Sequence, residues 1–462
     1  MTAAPHTSFL IERFGERADA AAVIAPSARC TFGELVELAR RWSRELERED
    51  VRPGMVVGLE GDFSPSAIAL FLALTDRGAI VVPANRGRVD AEQREELAQV
   101  EARLRVDEAD GVRLERTGRT ASHELYDELR ARGHPGLVQF TSGTSAEPKA
   151  ALHDATLLLE KFTVRRPALS TLALLLFDHL GGINTMLHTL SNGATLVATG
   201  DRSPETVCEL VERHGVELLP ATPTLLNLLL IGGAHRRHDM SSLRVISYGA
   251  EPMPATTLTR LRAAFPGVKL QQTYGMVELG VMRTASRDDG SLWLKVGGEG
   301  FETRVVDGML EVRARSALLG YLNATAPITA DGWFQTGDVV EQDGEYLRFL
   351  GRDSDLINVG GEKVYPAEVE GVIESIDGVV EAIVYGEPNA IVGQIVCARV
   401  TAVEGAGGEE IAPETLARQV KRLCRERLER FKVPVKVEVV AGGGPGDRVK
   451  KARPRVTQER RA

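Results

Sequence analysis

The stretch FTSGTSAEPKA at residues 140–150 constrains the fold of this chain more than any other feature. Two apolar residues, 137–138, precede it, so we expect a strand into Phe140 and then a loop from Thr141 to Ser145, because glycine and hydroxyl-bearing residues favour turns. Backbone N–H groups and hydroxyls of such a loop can converge on phosphate oxygens, with Lys149 adding a positive charge. The G-x-x-x-x-G-K-S/T spacing of a Walker A loop is absent. A solvated turn with a surface lysine is the competing interpretation.

Length and composition limit the class of protein. The chain has 462 residues, too many for one core, so we expect two or more domains. A hydrophobic fraction of 43% and a charged fraction of 26% are typical of a globular protein in water. The formal net charge of −9 argues against nucleic acid as the main partner. Neither a signal peptide nor an apolar run of about 18 residues is present, so we expect a cytoplasmic chain without membrane contact.

The order of apolar segments indicates the fold class. Strand candidates at residues 56–59 and 78–83 flank a buried-helix pattern at 67–73. Strands that alternate with helices predict α/β layers around a largely parallel sheet. Residues 86–134 are charged and poorly patterned, with a weak sheet signal at residues 112–114, so only irregular surface structure is expected there. The four cysteines form no C-x-x-C pair, which favours reduced thiols and offers no zinc site.

Asp178 and His179 follow six apolar residues, 172–177, that predict a central strand. Ligands in open α/β sheets gather at such carboxyl ends of strands. A carboxylate without a partner in an apolar pocket is costly, so Asp178 needs a cationic or hydrogen-bonding partner. A substrate group, a neighbouring arginine and a helix N-terminus all remain open as that partner. His179 fits either a ligand-facing role or a satisfied core histidine.

The stretch at residues 140–150 resembles the phosphate loop of the AMP-forming adenylating enzymes, which include acyl-CoA synthetases, nonribosomal adenylation domains and luciferases. Further motifs of that superfamily follow in its order, so the resemblance covers nearly the whole chain. They are YGMVE at 274–278, TGD at 336–338, GRDSDLINVGGEKVYPAEVE at 351–370 and a degraded PGDRVKKARP at 445–454. The resemblance implies a large α/β N-terminal domain of several subdomains with mostly parallel sheets (residues 1–352). A small mobile α+β C-terminal domain (353–462) would follow a hinge at about 353–355.

The resemblance also implies a nucleotide site. Tyr274 would stack on adenine, Asp338 would accept both ribose hydroxyls, and Arg352 would contact ribose or phosphate. Glu278 would hold Mg²⁺ against the phosphates. The residues expected around ATP are Thr141, Ser142, Gly143, Thr144, Lys149, Gly249, Ala250, Glu251, Thr273, Tyr274, Gly275, Asp338 and Arg352.

The acid substrate is expected beside the nucleotide. Asp178, His179, Gly249 and Gly275 are the implied substrate-binding residues, and Lys451, Glu278 and His179 the implied catalytic ones. Asp178 resembles the aspartate with which amino-acid adenylation domains bind the substrate's amino group. The tail motif aligns Lys451 with the catalytic lysine, and Lys450 takes that place if the register is off by one. A basic tail without catalytic duty is the competing interpretation.

The function implied by the resemblance is an ATP- and Mg²⁺-dependent ligase. It would activate a small or aromatic carboxylic acid, with or without an amino group, as acyl-AMP. Coenzyme A, or the phosphopantetheine arm of a carrier protein, would then accept the acyl group after the small domain turns the Gly360-Gly361 bend toward the site. A stand-alone amino-acid-type enzyme serving a carrier protein, an amine or an oxyanion such as nitrite stays open. Val277 and Asn358 depart from the family pattern, so a nucleotide-binding protein without catalysis also stays open. A homodimer is a further open alternative.

Overall fold

The computed structural model describes residues 6–141, 148–288, 290–402 and 412–441. Within these ranges the chain forms two seven-stranded sheets, a six-stranded sheet, a five-stranded sheet and a two-stranded ribbon. None of the helices in these ranges combines the length and the apolar character that a membrane crossing requires.

The helices of the described ranges are α1 (Ser8–Gly15), α2 (Phe32–Arg48), α3 (Pro65–Asp76), α4 (Ala91–Leu97), α5 (Glu124–Arg132), α6 (Ala155–Glu160), α7 (Leu180–Ser191), α8 (Pro204–His214), α9 (Pro223–Gly232), α10 (Ala255–Ala264), α11 (Pro366–Ile373) and α12 (Pro413–Arg427). Short 3₁₀ helices lie at Lys161–Thr163, Ala234–Arg236, Asp353–Asp355 and Arg430–Lys432.

The strands of the same ranges are β1 (Ala21–Ile24), β2 (Arg29–Thr31), β3 (Val56–Gly61), β4 (Ile80–Asn85), β5 (Ala102–Val106), β6 (Val112–Arg116), β7 (Gly136–Thr141), β8 (Lys149–Asp154), β9 (Thr171–Ala173), β10 (Leu196–Ala198), β11 (Leu218–Ala221), β12 (Val245–Tyr248), β13 (Lys269–Gln272), β14 (Gly275–Met276), β15 (Gly280–Val281), β16 (Arg283–Ser286), β17 (Leu294–Gly297), β18 (Phe301–Val306), β19 (Met309–Ala314), β20 (Gly320–Tyr321), β21 (Phe334–Asp343), β22 (Tyr346–Arg352), β23 (Ile357–Val359), β24 (Glu362–Val364), β25 (Val379–Asn389), β26 (Gly393–Ala402) and β27 (Lys436–Ala441).

The first sheet has the order β13-β12-β11-β9-β10-β1-β2. All its neighbours pair in parallel except β1 and β2. The carboxyl ends of β9, β11, β12 and β13 therefore meet at one edge, which is where an open α/β sheet offers a ligand site. Helices α8, α9 and α10 cover the sheet through buried apolar side chains such as Val211, Leu226 and Leu258.

The second sheet has the order β20-β8-β7-β4-β3-β5-β6, with a parallel centre of β7, β4, β3 and β5 and antiparallel outer strands. Helix α3 is apolar on all sides and almost wholly buried, because it lies in the core that the first and second sheets share. Ser64 caps α3 through its hydroxyl, with Pro65 in the first turn.

The third sheet, β16-β17-β22-β21-β19-β18, is antiparallel throughout. The hairpin of β18 and β19 turns at Asp307-Gly308, and the hairpin of β21 and β22 turns at Gly344-Glu345. The fourth sheet joins β24, β23, β26, β25 and β27 and packs against α11 and α12 as a small α+β unit. The α/β fold class is confirmed, with the correction that the sheets are mixed and the third is wholly antiparallel.

Two local predictions are wrong. The strand expected over residues 172–177 ends at Ala173, and residues 174–179 form a loop before α7; an apolar run can be buried without being a strand. Residues 86–134 are regular rather than irregular, because they contain α4, β5, β6 and α5. Strand β5 alternates buried Ala102, Leu104 and Val106 with more exposed arginines, a period of two that the high charge conceals.

The chain passes from the third sheet to the fourth over a short segment. Strand β22 ends at Arg352, a 3₁₀ turn covers Asp353–Asp355, and β23 begins at Ile357. The fourth sheet contacts the first through α9, where the buried Asn227 amide donates to the carbonyls of residues 379 and 380 at 3.4 and 3.1 Å. The domain boundary at 352–353 and the hinge role of this turn stay predictions.

Candidate active site

Two loops leave the carboxyl edge of the first sheet side by side. Tyr248 ends β12 directly beside Gln272 of β13, so residues 249–251 and 273–275 emerge together. A Cβ atom on Gly249 would lie 2.3 Å from Thr273 Oγ1, so only glycine allows this approach. Ala250 follows with a φ of 68°, a left-handed conformation that is uncommon for a residue with a side chain. The two loops implied at the adenine and the acid thus lie in contact.

Tyr274, Asp338 and Arg352 form one hydrogen-bonded cluster. Asp338 and Arg352 are direct partners on β21 and β22, which places the Arg352 Nε 3.2 Å from Asp338 Oδ1. The Tyr274 hydroxyl donates to Asp338 Oδ2 at 2.6 Å. The sequence separates Tyr274 from Asp338 by 64 positions, yet the first and third sheets bring them together at this point.

Burial and the Arg352 charge act in opposite directions on the pKa values of Asp338 and Tyr274. Burial raises the pKa of Asp338, and the Arg352 guanidinium and the Tyr274 hydroxyl oppose that rise. Burial, followed by the charge of Asp338, raises the pKa of Tyr274 well above its usual value, so the phenol stays protonated and donates. A carboxylate has about four lone-pair positions, so Asp338 retains capacity for further hydroxyl donors beyond its two partners.

The Tyr274 ring has one face covered. Phe349 of β22 stacks on it with ring centroids 4.5 Å apart and an interplanar angle of 28°. Parallel rings at this spacing pack favourably. Phe349 therefore occupies one face of the Tyr274 ring.

Glu278 lies in the turn between β14 and β15, and its side chain is largely buried. The Tyr321 hydroxyl donates to Glu278 Oε1 at 2.5 Å, and burial, together with the Glu278 charge, raises the pKa of that phenol. Lys149 Nζ lies 5.3 Å from the centroid of the Tyr321 ring, a cation–π distance. Strand β20 carries Tyr321 to β8, so Glu278 and Lys149 are linked through one aromatic side chain.

Among the described residues, no group of three or more histidine, cysteine, aspartate or glutamate side chains could enclose a metal ion. A hard oxygen ligand such as Glu278 nevertheless fits Mg²⁺, which is commonly bound by one or two carboxylates plus substrate phosphates. The residues present fit a magnesium ion that arrives with a nucleotide, and do not fit an all-protein metal cage.

Asp178 is held by protein groups in a fully buried position. The Asn85 amide donates to its Oδ1 at 2.7 Å, and Arg88 Nη1 lies 2.8 Å from its Oδ2. His179 follows as the residue before α7 and is half-buried, with Nε2 3.8 Å from Asp178 Oδ1. The partners of Asp178 that the sequence leaves open are therefore Asn85, the last residue of β4, and Arg88 in the loop that follows.

Comparison with known proteins identifies the family. The AMP-binding enzyme family matches residues 11–313, and its AMP-binding enzyme C-terminal domain matches residues 368–448. A 7a-methyl-1,5-dioxo-octahydro-1H-inden-4-yl propanoyl:CoA ligase of Mycobacterium tuberculosis is 30% identical and aligns over 91% of this chain and 92% of its own length. The indoleacetate–CoA ligase of Aromatoleum aromaticum is 28% identical over 90% of both chains.

The chain belongs to the AMP-binding enzyme family. The crystal structure of the anthranilate CoA ligase AuaEII with anthranoyl-AMP has the same fold, with a TM-score of 0.79, 22% identity and coverage of 95% of this chain and 93% of that one. The enzyme class expected from the sequence, an AMP-forming acid–thiol ligase, is confirmed.

Some of the site residues expected for this AMP-binding enzyme lie in contact with one another in the structure, and others do not. The structure brings Tyr274, Asp338 and Arg352 into contact, and the charge of Glu278 acts on Arg352. Glu251 instead turns to α9, where its Oε2 accepts from the Thr224 hydroxyl at 2.7 Å. Thr141 ends β7 beside Lys149 of β8. Ser142, Gly143, Thr144, Lys450 and Lys451 lie outside the described residues.

Asn323 is a residue that the motifs do not reveal. Its Oδ1 accepts from the Ala150 N–H, and its Nδ2 donates to the Pro148 carbonyl, both at 2.9 Å. This side chain therefore holds the end of the 140–150 stretch, at Pro148 and Ala150. Asn358, where the family pattern has a lysine, accepts from the Gly361 N–H at 2.9 Å and so stabilises the Gly360-Gly361 turn.

Proposed function

We propose that this enzyme activates a carboxylic acid with ATP and transfers the acyl group to coenzyme A. In the first step the acid attacks the α-phosphorus of ATP, which forms acyl-AMP and releases pyrophosphate. In the second step the thiol attacks the acyl carbon and releases AMP. Little covalent chemistry is asked of the protein, so positioning and charge neutralisation carry the rate.

The single observation that supports ATP as the first substrate is the contact between Tyr274 and Asp338. A ring for the adenine and a carboxylate for the ribose are joined by one hydrogen bond of 2.6 Å. That spacing suits a nucleoside, whose base and sugar are covalently adjacent. Arg352, 3.2 Å from the same carboxylate, adds a positive charge for ribose or phosphate.

Glu278 and Lys149 are proposed to serve the phosphates. Glu278 would hold the magnesium ion of the nucleotide, which neutralises phosphate charge when bound. Lys149 would reach the phosphates from the start of β8, guided by the Tyr321 ring. The loop that would complete the phosphate site, Ser142, Gly143 and Thr144, keeps the role implied by its resemblance.

Coenzyme A as acceptor is supported by the two relatives, both of which are CoA ligases. The Gly360-Gly361 turn has left-handed φ angles of 63° and 98° and is exposed. A turn without side chains lets a narrow pantetheine arm approach the backbone. We propose that rotation of the small domain brings this turn to the acyl-AMP, with Asp353–Asp355 as the hinge.

The acid is proposed to be a small or aromatic carboxylate bound near His179, Gly249 and Gly275. An amino group on that acid would need a free carboxylate, and Asp178 already has Arg88 and Asn85 as partners. The structure therefore gives no support to selection of an amino-bearing acid by Asp178. Transfer to a carrier protein or an amine shares the same first step and differs only in the acceptor.

Lys451 is proposed as the cation that stabilises the adenylation transition state. Removing one such donor typically costs about 10²–10³ in rate. Lys451→Ala should therefore abolish most acid-dependent pyrophosphate exchange and still convert supplied acyl-AMP to acyl-CoA. Lys450→Ala is the matched control, and the reverse pattern would shift the register by one residue. If neither variant slows exchange, the tail has no catalytic role.

The acceptor is tested by product analysis of the full chain. ATP, Mg²⁺ and an accepted acid should yield AMP and acyl-CoA when coenzyme A is present, and bound acyl-AMP when it is absent. Amide or carrier-bound product, formed in preference to acyl-CoA at equal acceptor concentration, would contradict coenzyme A as acceptor.

A further inference from the structure

Glu278, the proposed magnesium ligand, is held at two points by one short segment. It lies in the turn between β14 and β15, strands of only two residues each. The Leu318 N–H donates to the Glu278 carbonyl at 2.7 Å, and the Tyr321 hydroxyl donates to Glu278 Oε1 at 2.5 Å. Residues 318–321 therefore hold both the backbone and the carboxylate of Glu278.

The segment that carries Tyr321 is itself anchored. Tyr321 is the antiparallel partner of Ala151 on β8. The N–H groups of residues 319 and 322 donate to carbonyls of β8, both at 2.8 Å. The Tyr321 side chain is buried in the same apolar cluster as Leu279. Its hydroxyl therefore has a defined position relative to β8 and to the turn that contains Glu278.

The Tyr321 hydroxyl is the sole side-chain donor to the Glu278 carboxylate within the described parts of the chain. Asp338, the other carboxylate of the site, has two side-chain partners, the Tyr274 hydroxyl at 2.6 Å and the Arg352 Nε at 3.2 Å. A carboxylate has about four lone-pair positions. Glu278 therefore retains acceptor capacity for a metal ion beyond its bond to Tyr321.

The orientation of a carboxylate determines how well it binds magnesium. Mg²⁺ demands a nearly ideal octahedral arrangement of oxygen ligands, so a carboxylate that can rotate is a weaker ligand. Hydrogen bonds from residues outside the coordination sphere orient such ligands, and the loss of one typically lowers metal affinity or activity about 10- to 100-fold. Among the described side chains, Tyr321 is in the position to do this for Glu278.

We propose that Tyr321 is the positioning residue of the magnesium site, where its hydroxyl holds Oε1 of Glu278 and leaves Oε2 available to the Mg²⁺ that arrives with ATP. This inference rests on the proposed function, because it takes Glu278 as the ligand of that metal ion. Tyr321 contacts neither the nucleotide nor the metal in this role. It acts through Glu278.

The test measures how strongly Mg²⁺ promotes ATP binding to the full-length enzyme. The Kd of ATP is determined at equilibrium, without an acid, once in excess Mg²⁺ and once in EDTA, and the ratio of the two values reports the contribution of the metal. Tyr321→Phe keeps the ring that lies 5.3 Å from Lys149 Nζ and loses only the hydroxyl. The Kd in EDTA should therefore equal the wild-type value. The metal-dependent ratio should fall about tenfold, the low end of the range for such partners.

A matched control separates positioning from structural support. Tyr126 is fully buried, and its hydroxyl donates to the Ala98 carbonyl at 2.7 Å in a different apolar cluster. Tyr126→Phe also loses a buried hydroxyl with a hydrogen bond, so it should lower thermal stability and retain the wild-type ratio.

A double-mutant cycle tests whether Tyr321 acts through Glu278. Glu278→Gln removes the charge that binds the metal and should lower the metal-dependent ratio by itself. Tyr321→Phe added to Glu278→Gln should cause no further fall, because the two residues act as one unit. In pyrophosphate exchange, Tyr321→Phe should raise the KM for MgATP and leave kcat near the wild-type value.

Three results would overturn the inference. Equal weakening of ATP binding in Mg²⁺ and in EDTA would assign Tyr321 a direct contact with the nucleotide. A wild-type ratio in Tyr321→Phe, with or without a loss of thermal stability, would assign Tyr321 a structural role. A further fall of the ratio in the double variant would show that Tyr321 acts independently of Glu278.

Acid-dependent pyrophosphate exchange by the wild-type enzyme distinguishes this inference from the proposed function. Exchange by wild type, with an unchanged ratio in Tyr321→Phe, overturns the inference and leaves the function standing. A lowered ratio in Tyr321→Phe, with no exchange by wild type for any acid, supports the inference and contradicts the function. ATP binding by wild type that does not respond to Mg²⁺ overturns the inference whatever the exchange shows.

Discussion

Asp338 lies between two partners, the Tyr274 hydroxyl and the Arg352 guanidinium. We expect Asp338→Asn to weaken ATP binding strongly while the fold is retained, because asparagine keeps the hydrogen bond to Tyr274 but loses the charge and one acceptor. A hydrogen bond to a charged group contributes about 1.5–3 kcal/mol, so the Kd of ATP should rise about 10- to 100-fold. Equilibrium binding of ATP measures this effect.

The matched control is Glu341→Gln, three positions along β21. Its carboxylate pairs with Arg348 at 2.5 Å on an exposed face, with 43% of each side chain accessible. Exposed pairs contribute little, so ATP affinity should stay at the wild-type value. Equal ATP affinity in Asp338→Asn and Glu341→Gln would remove Asp338 from the nucleotide site.

Asp178 is predicted to matter for stability. Asp178→Ala leaves the half-buried Arg88 without its nearest buried carboxylate, and breaking a buried ion pair typically costs about 3–5 kcal/mol. We expect a loss of about 3 kcal/mol, at the low end of that range, because Asp90 remains 2.6 Å from Arg88. Urea unfolding of wild type and variant measures the difference.

Removing both charges provides the check. Arg88→Met combined with Asp178→Leu should recover most of the lost stability, since apolar replacements of a buried pair are often neutral. An unchanged urea midpoint in Asp178→Ala would contradict the structural pairing and return Asp178 to the substrate.

The sequence motifs identify the residues expected at the active site. They do not identify the residues that hold those side chains in place. Tyr274, Asp338 and Arg352 belong to motifs that can be recognised from their residues and their order in the chain. Phe349 and Asn323 belong to no recognisable motif. Their contacts, a stacked ring and a pair of backbone hydrogen bonds, depend on which strands lie side by side in the fold. Asp178 illustrates the limit, since a carboxylate after an apolar run indicates a need for a partner without saying whether protein or substrate provides it.

Strand β8 depends on a side chain from a distant loop. Asn323→Ala removes both hydrogen bonds to residues 148 and 150, each worth about 1 kcal/mol. We expect a raised KM for ATP with the fold retained, because Lys149 lies between these two positions. Steady-state kinetics with varied ATP tests this, with Asn192→Ala, which lies at the end of α7, as the control.

An Asn323→Ala enzyme whose KM for ATP equals that of wild type would show that β8 holds its position without this bridge. A KM that rises equally for ATP and for the acid would indicate a general distortion of the site.

Whole elements were predictable where local signals and burial agree. The capping box of Thr31 and Glu34 begins α2, and the Asp307-Gly308 turn joins β18 to β19. Residues 86–134 were not predictable, because the charged faces of α4 and α5 hide short buried stripes such as Tyr126 and Leu129. The short strand β9 shows the opposite case, in which only two residues of the apolar run 172–177 belong to a strand.

At the scale of the whole molecule, helix α9 of the large domain contacts the start of β25 in the small domain. Asn227 of α9, only 3% exposed, donates to two carbonyls at the start of β25. Asn227→Ala should loosen this contact by about 1–2 kcal/mol, the value of two neutral hydrogen bonds. Amide exchange of residues 376–384 should then accelerate about 5- to 30-fold.

Arg260→Gln is the control, since its partner Asp377 is 99% exposed and the pair should contribute little. Faster exchange throughout the molecule in Asn227→Ala would indicate global destabilisation in place of a loosened domain contact. Unchanged exchange over residues 376–384 would mean that the Asn227 hydrogen bonds do not hold the two domains together.

The central claim is that the joined Tyr274, Asp338 and Arg352 cluster serves an acid-activating reaction. Acid-dependent exchange of labelled pyrophosphate into ATP tests it most directly, over a panel of aliphatic and aromatic acids with Mg²⁺. The account predicts that label enters ATP only when an accepted acid is added, and that Asp338→Asn strongly reduces this exchange at subsaturating ATP. ATP binding that needs Asp338, together with no exchange for any acid in the panel, would contradict the account.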